Sequence, residues 1–193
     1  MIAIDHEYLS ESAPLGDTPG ERPDVQNVYC EIMQIGACKL DADGIEIGTF
    51  NVTVQSHKLH HIPVWLSRMT GMSEEKRAMG LPYPEALRQL VEFIGDDKEI
   101  WTFSGDWWVV EGNVKAHQIP MPPQFQQPFQ RAKPLLADKG VTLEQFKQAG
   151  FSEVCSGGLY KVLGITLPAI EGVGTHDASH DARSLAHSVF ILD

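Results

Sequence analysis

Asp5 and Glu7 stand one residue apart at the end of the apolar run Met1-Ile2-Ala3-Ile4. The run reads as a buried strand. Alternate side chains of a strand share a face, so the two carboxylates point to one spot. Two ionised acids in such a place are costly unless a cation sits there; the competing reading is a solvated strand end. At the far end of the chain, His176-Asp177-Ala178-Ser179-His180-Asp181-Ala182-Arg183 opens the last helical pattern and supplies another acid, Asp181, with a possible base, His176. Between them, Asp106 follows the apolar run Ile100-Trp101-Thr102-Phe103-Ser104, where a strand hands over to a helix. It stands there either as a helix N-cap or as a further acid of the same site. Convergence of Asp5, Glu7, Asp106, His176 and Asp181 on one cavity is therefore expected.

The elements that must position these residues can be read in chain order. After Glu7 the segment from Leu9 and Ser10 through Asn27 is dense in Pro, Gly, Ser and charge, which predicts a long loop. Beside a candidate site such a loop is either functional or a surface insertion. Tyr29 to Leu40 runs as a strand, Asp41-Ala42-Asp43-Gly44 is a turn, and Ile45 to Val54 returns as its antiparallel partner. With the first strand this makes an antiparallel three-strand meander. His57, His60 and His61 follow in a loop with no second cluster to match them, so they read as surface residues. Ser73-Glu74-Glu75 is a helix start, and Pro84 to Ile94 is a helix with Leu87, Leu90, Val91 and Ile94 on one face. The residues after Asp106 continue helically, Phe129-Gln130-Arg131-Ala132-Lys133 suits a small edge strand, and Leu143–Ala149, Ser156–Leu163 and Ala178–Leu192 suit helices. Strands and helices alternate without a linker, which predicts one α/β domain over residues 1–193.

Composition limits the function classes. The chain has 193 residues, 42% of them apolar, enough for one core. Cys30, Cys38 and Cys155 are an odd number without metal-ligand spacing, which predicts ordinary thiols in a reducing compartment. No stretch is apolar enough for a bilayer span or a signal segment, so no membrane association and a cytoplasmic location are expected. The net charge of −11 argues against a surface that grips long duplex nucleic acid through many phosphates. It leaves room for a small nucleic-acid substrate held through metal ions.

Asp5-x-Glu7, Glu31-Ile32-Met33-Gln34-Ile35-Gly36-Ala37, Met69-Thr70-Gly71-Met72, the strand end at Asp106, and His176-x4-Asp181 followed by Ala182-Arg183 together resemble the DEDDh branch of the 3′–5′ exonucleases. Within it the pattern is most similar to the histone-mRNA 3′ exonuclease and sporulation-inhibitor-type group. The resemblance spans essentially the whole chain. It implies an RNase H-like mixed sheet flanked by helices, and a 3′–5′ exonuclease acting on single-stranded DNA or RNA 3′ ends to release 5′-mononucleotides. It also implies two Mg²⁺ ions, for which Mn²⁺ substitutes. Such ions, about 3.5–4 Å apart, activate water and stabilise the leaving oxygen of a phosphodiester. Carried over by position, Asp5 would bridge both ions, Glu7 and Asp181 would complete one, Asp106 would serve the other through water, and His176 would be the general base.

Two positions depart from the family pattern. Leu9 stands where a Thr is usual, which leaves Ser10 as the nearby hydroxyl at the terminal nucleotide. Gly105-Asp106-Trp107-Trp108 stands where relatives often read Gly-Asp-Trp-Asp, so either Asp106 or the Trp108 position fills the slot of the catalytic acid. Leu9, Ser10, Phe103 and Trp107 are the candidate substrate contacts, the aromatic rings as stacking partners for a base, with the Ser10–Asn27 loop as a mobile cover. Two other readings compete. One keeps the fold as a catalytically impaired nucleic-acid- or partner-binding module. The other takes His176-Asp177-x-x-His180 as a zinc or HD-type hydrolase motif, against which the strands argue, because HD hydrolases are all-helical.

Overall fold

A computed structural model describes residues 1–19, 23–168 and 176–193. Residues 20–22, within the Ser10–Asn27 loop, lie outside the described set. Strand β1, Ile2–Ser10, pairs antiparallel with β2, Cys30–Leu40, which pairs antiparallel with β3, Glu46–Thr53. Strand β4, Ile100–Thr102, runs parallel to β1, and β5, Gln130–Arg131, runs parallel to β4. Among the described residues these form one mixed sheet in the order β3-β2-β1-β4-β5. This is the expected antiparallel meander extended by parallel strands, in a single α/β domain of RNase H-like fold. The β2–β3 turn is held by Asp41 Oδ1, which accepts from the backbone N–H of Asp43 and Ile45, both at 2.9 Å.

The two sheet faces follow from the alternation of β1. Ile2 and Ile4 face a core with Tyr83, Leu87, Leu90 and Ile94 of α3, Tyr83–Ile94, and Val109, Val110 and Val114 of α4, Asp106–Ala116. Ala3 faces the other core, shared with Leu136, Phe146, Leu159, Leu185 and Val189. Each large apolar side chain so buried contributes roughly 1.5–3 kcal/mol. The closing helix, Ala178–Leu192, presents Ala178, Ala182 and Ala186 four apart on one buried face. Opposite that face stand Ala3 and Cys38 of the sheet. Small residues on both sides let this helix lie close to β1 and β2.

Several expectations need correction. Leu9 and Ser10 belong to β1 and not to the loop, because a register shift between Glu7 and Tyr8 lets pairing resume with Ile32, Glu31 and Cys30. Helix α1, Val64–Thr70, and α2, Glu74–Ala78, precede α3, and Ser73 caps α2 as expected. Helix α1 is too short for a clear periodicity, and its stop at Gly71, φ 65°, is its firmest signal. The strand expected over Phe129–Lys133 shrinks to Gln130–Arg131, and α5, Ala132–Asp138, starts at once. Its Pro134 falls in the first turn, where no intrahelical N–H is lost. Helices α6, Leu143–Gln148, and α7, Leu159–Val162, then lead to the closing helix, α8. The sheet excludes the all-helical HD architecture, and His57, His60 and His61 are exposed. No described helix is long and apolar enough to cross a membrane.

Candidate active site

Asp5, Glu7, Asp106, His176 and Asp181 all line one cavity of about 540 Å³. Strand β1 supplies the first two from the face that meets α8. Gly36 sits opposite Asp5 and Gln34 opposite Glu7 in the ladder. Gln34 ties the start of α8 to the sheet: its Nε2 donates to Asp177 Oδ2 at 2.9 Å and its Oε1 accepts from Ala178 N–H at 3.3 Å. Asp177 is the N-cap of α8, accepting from the N–H of Ser179 and His180. Asp181 then projects from the first turn toward β1.

Around Asp181 the packing is tight. Ser156 Oγ donates to its Oδ2 at 3.4 Å, and the His176 N–H donates to its Oδ1 at 3.3 Å. A β-carbon on Gly157 would lie 2.2 Å from its Oδ1, so only glycine admits the carboxylate there. His176 itself adopts φ 64°, the left-handed region, immediately ahead of the N-cap. One ligand atom each of Glu7, His176 and Asp181 lies within 4.8 Å of the other two.

Asp106 is the first residue of α4, one past the N-cap, Gly105, so the N-cap position is not its own. Instead its Oδ1 pairs with His6 Nδ1 at 3.1 Å. The N-cap alternative is thus replaced by a tertiary contact. Trp108 does not line the cavity; its ring lies beneath the Arg131 guanidinium, 5.8 Å from the ring centre. The acid that faces Asp5 at this strand end is Asp106.

The electrostatics are those of crowded acids. Burial, and then the charges of Asp181, Asp106 and Glu7, push the Asp5 carboxyl well above its ordinary value. Burial, followed by Asp181, Asp177 and Asp106, does the same to Glu7. Asp181 is pushed up to about 7, chiefly by burial, against the hydrogen bonds from His176 and Ser156. Asp177 is lowered, because donors from Ser179, Gln34 and the helix start outweigh its burial. None of the described residues lining the cavity is Lys or Arg. A set of buried carboxylates without a cationic side chain suits hard divalent cations, Mg²⁺ before softer metals.

The expected substrate contacts divide. Ser10 and Phe103 line the cavity. Leu9 does not: past the register shift it packs with Met33, Ile62, Leu66 and Met72. Trp107 does not either, since its Nε1 donates to the Phe125 carbonyl at 3.0 Å and its ring packs on the α3/α4 core. Residues not singled out from the sequence complete the wall. Tyr8, Ser12, Trp65, Leu66 and Met69 line it, and Pro14, Pro19 and Pro23 come from the loop after β1. Trp65 Nε1 donates to the Pro14 carbonyl at 3.0 Å and joins α1 to that loop. His180 packs edge-on against Tyr160 outside the cavity, and His187 Nε2 lies 3.5 Å from Glu46.

Neither a family model nor a curated protein matches the sequence. Solved structures do. The nuclease domain of 3′hExo, a DEDDh family member, bound to rAMP, aligns over 98% of this chain and 89% of its own with a TM-score of 0.71 and 15% identity. A 3′-exonuclease with 3′-end specific recognition of histone mRNA stem-loop aligns over 98% and 79%, with a TM-score of 0.74 and 14% identity. Exonuclease X in complex with 5′ overhanging duplex DNA aligns over 99% and 89%, with a TM-score of 0.60 and 12% identity. At these identities the likeness is one of architecture: nearly the whole chain has the RNase H-like fold of the DEDDh 3′-exonucleases.

Proposed function

We propose that the protein is a metal-dependent 3′–5′ exonuclease that hydrolyses single-stranded nucleic acid from its 3′ end to 5′-mononucleotides. The observation that carries this reading is the meeting of Asp5, Glu7, Asp106 and Asp181 with His176 in one cavity that Glu153 also lines and that is free of Lys and Arg among its described residues. Asp5, Glu7, Asp106 and Asp181 would hold two Mg²⁺ ions, or Mn²⁺. Such ions lower the pKa of bound water and stabilise the oxygen that leaves phosphorus. His176, beside Glu7 and Asp181, takes the proton of the attacking water. Ser10 and Phe103, with Tyr8, Trp65 and Leu66, hold the terminal nucleoside against an apolar wall. The prolines of the loop after β1 roof it. Cys30 and Cys38, two buried thiols outside any disulfide among the described residues, support a reducing, cytoplasmic setting.

The test is digestion of end-labelled single-stranded DNA, RNA and duplexes with Mg²⁺, Mn²⁺ or EDTA. Stepwise shortening from the 3′ end, dependent on the ion, is expected. No shortening of any substrate would leave the fold without this activity. DNA and RNA differ at the 2′ position, so the panel also reads the sugar preference.

A further inference from the structure

His6 lies between Asp5 and Glu7 in β1, where strand alternation sets its side chain against theirs, and it too is among the residues that line the cavity. Its side chain is 0% exposed, and its Nδ1 meets Asp106 Oδ1 at 3.1 Å. Its Nε2 is also buried and has no hydrogen-bond partner among the described residues. A carboxylate accepts, so the hydrogen bond to Asp106 assigns a proton to Nδ1. A buried polar atom without a partner costs free energy, whether it would donate or accept. The same face of β1 carries Ile2 and Ile4, and an aliphatic residue at position 6 would avoid that cost.

Asp106 also has a competing position available to it. It opens α4, whose first-turn N–H groups have no intrahelical acceptor, and a carboxylate there readily folds back to cap them. In the structure its Oδ1 is turned instead to His6 Nδ1.

We propose that His6 is a positioning residue: its Nδ1–H fixes one oxygen of Asp106, keeps the carboxylate off the α4 backbone, and presents the other oxygen to the cavity shared with Asp5. This rests on the reading of Asp106 as an ion-holding acid. Mutation of a group that orients a metal-holding side chain typically lowers metal affinity or activity about 10–100-fold.

Three measurements test it. Nitrogen-15 spectra of the metal-free protein should show His6 protonated at Nδ1, and the Nδ1–H form should lose its dominance in Asp106→Leu. His6→Leu should fold with a melting temperature at or above that of the wild type. It should bind one of two Mn²⁺ ions about 10–100-fold more weakly in the presence of a nucleoside 5′-monophosphate, and kcat should fall while KM holds. His6→Asn, whose amide N–H reaches the place of Nδ1, should recover most of the ion affinity. Wild-type Mn²⁺ affinity in His6→Leu would overturn the proposal. So would an Asn variant as weak as Leu, or a loss that tracks a lowered melting temperature. If the wild type binds both ions and shows the Nδ1 proton yet cleaves nothing, the exonuclease reading fails and the positioning role stands. If it binds no Mn²⁺, both fail.

Discussion

A β-carbon placed on Gly36 would lie 2.0 Å from the carbonyl carbon of Ala178. Gly36 is also the ladder partner of Asp5, so the first turn of α8 rests directly behind the acid of β1. Backbone atoms cannot yield as a flexible side chain would. Gly36→Ala should therefore cost at least the upper end of about 1–3 kcal/mol, and it should move Asp181 away from Asp5. Urea unfolding and hydrolysis rates check this against Leu87→Ala, a core truncation expected to cost about 2–5 kcal/mol far from the cavity. At matched fraction folded, Gly36→Ala should be the less active of the two. A variant as stable and active as the wild type would show that α8 docks more loosely than its contacts indicate.

Asp5 and Asp181 sit where burial and neighbouring acids oppose their charge. Both are almost wholly buried and repel their acidic neighbours. Asp5→Asn and Asp181→Asn should nearly abolish hydrolysis, while each metal-free variant melts at or above the wild-type temperature. Circular dichroism melts in EDTA, alongside rates in Mg²⁺, measure the two effects separately. Loss of folding with either substitution would mean that these carboxylates serve the core.

The same crowding fixes the sign of a pH dependence. An acid raised in the fold keeps its proton at a pH where the unfolded chain has released it. The metal-free protein should then lose stability as pH rises from the unfolded value near 4 through the folded value of Asp181 at about 7. Asp5 and Glu7 act in the same direction. The lowered carboxyls of Glu31, Asp97 and Asp177 act below about pH 4, outside this window. His117 and His180, both lowered, oppose it below their unfolded value of 6.5. The comparison is therefore between wild type and Asp181→Asn, whose EDTA melting temperatures should diverge as pH rises. Parallel curves would remove the electrostatic argument.

How much of this was legible in the sequence depends on how local each signal was. The positions of Asp5, Glu7, His176 and Asp181 followed from strand alternation and from a helix start, both short-range regularities. α8 was read at Ala178–Leu192, where it stands. The contact of His6 with Asp106 spans 100 positions, and a polar residue on the alternation face of Ile2 and Ile4 was its only trace. Gly157 lies in a Gly-Gly pair whose need for space appears only when Asp181 arrives from 24 residues later. Leu9 was misplaced because an alternation count does not foresee the shift at Tyr8. Trp107 was misplaced because an aromatic residue beside a catalytic acid reads alike whether it stacks a base or a core.

The choice between Asp106 and the Trp108 position yields an experiment. Trp108 is turned away from the cavity and its ring contacts Arg131. Asp106→Asn should lower kcat by at least about 100-fold, and adding Trp108→Asp should not restore it. Trp108→Asp alone should give no gain, and should lose stability through the missing ring. Recovery of activity in the double variant would mean that α4 can shift register to bring position 108 into the acid slot.

The absence of Lys and Arg from the described cavity lining bears on substrate length. Each phosphate neutralised by a cationic side chain adds close to one unit to the salt dependence of binding, about 0.7 for single strands. Here the terminal phosphate would be held through ions on carboxylates, and the terminal nucleoside by Phe103, Tyr8 and Trp65 on an apolar wall. A stacked base contributes about 1–3 kcal/mol without any charge. Binding should therefore depend weakly on salt, with a log–log slope of magnitude below ~3, and should gain little from nucleotides beyond the first few. Weak hold on the upstream strand also means release after each cut, so digestion should be distributive. Binding and initial rates on oligonucleotides of increasing length, from low to moderate salt at constant Mg²⁺, read all three properties. A steep slope with tighter binding at every added nucleotide would instead locate a basic track outside this cavity. Arg131, in β5, and Lys133, in α5, are exposed, and would be the first residues to replace in that case.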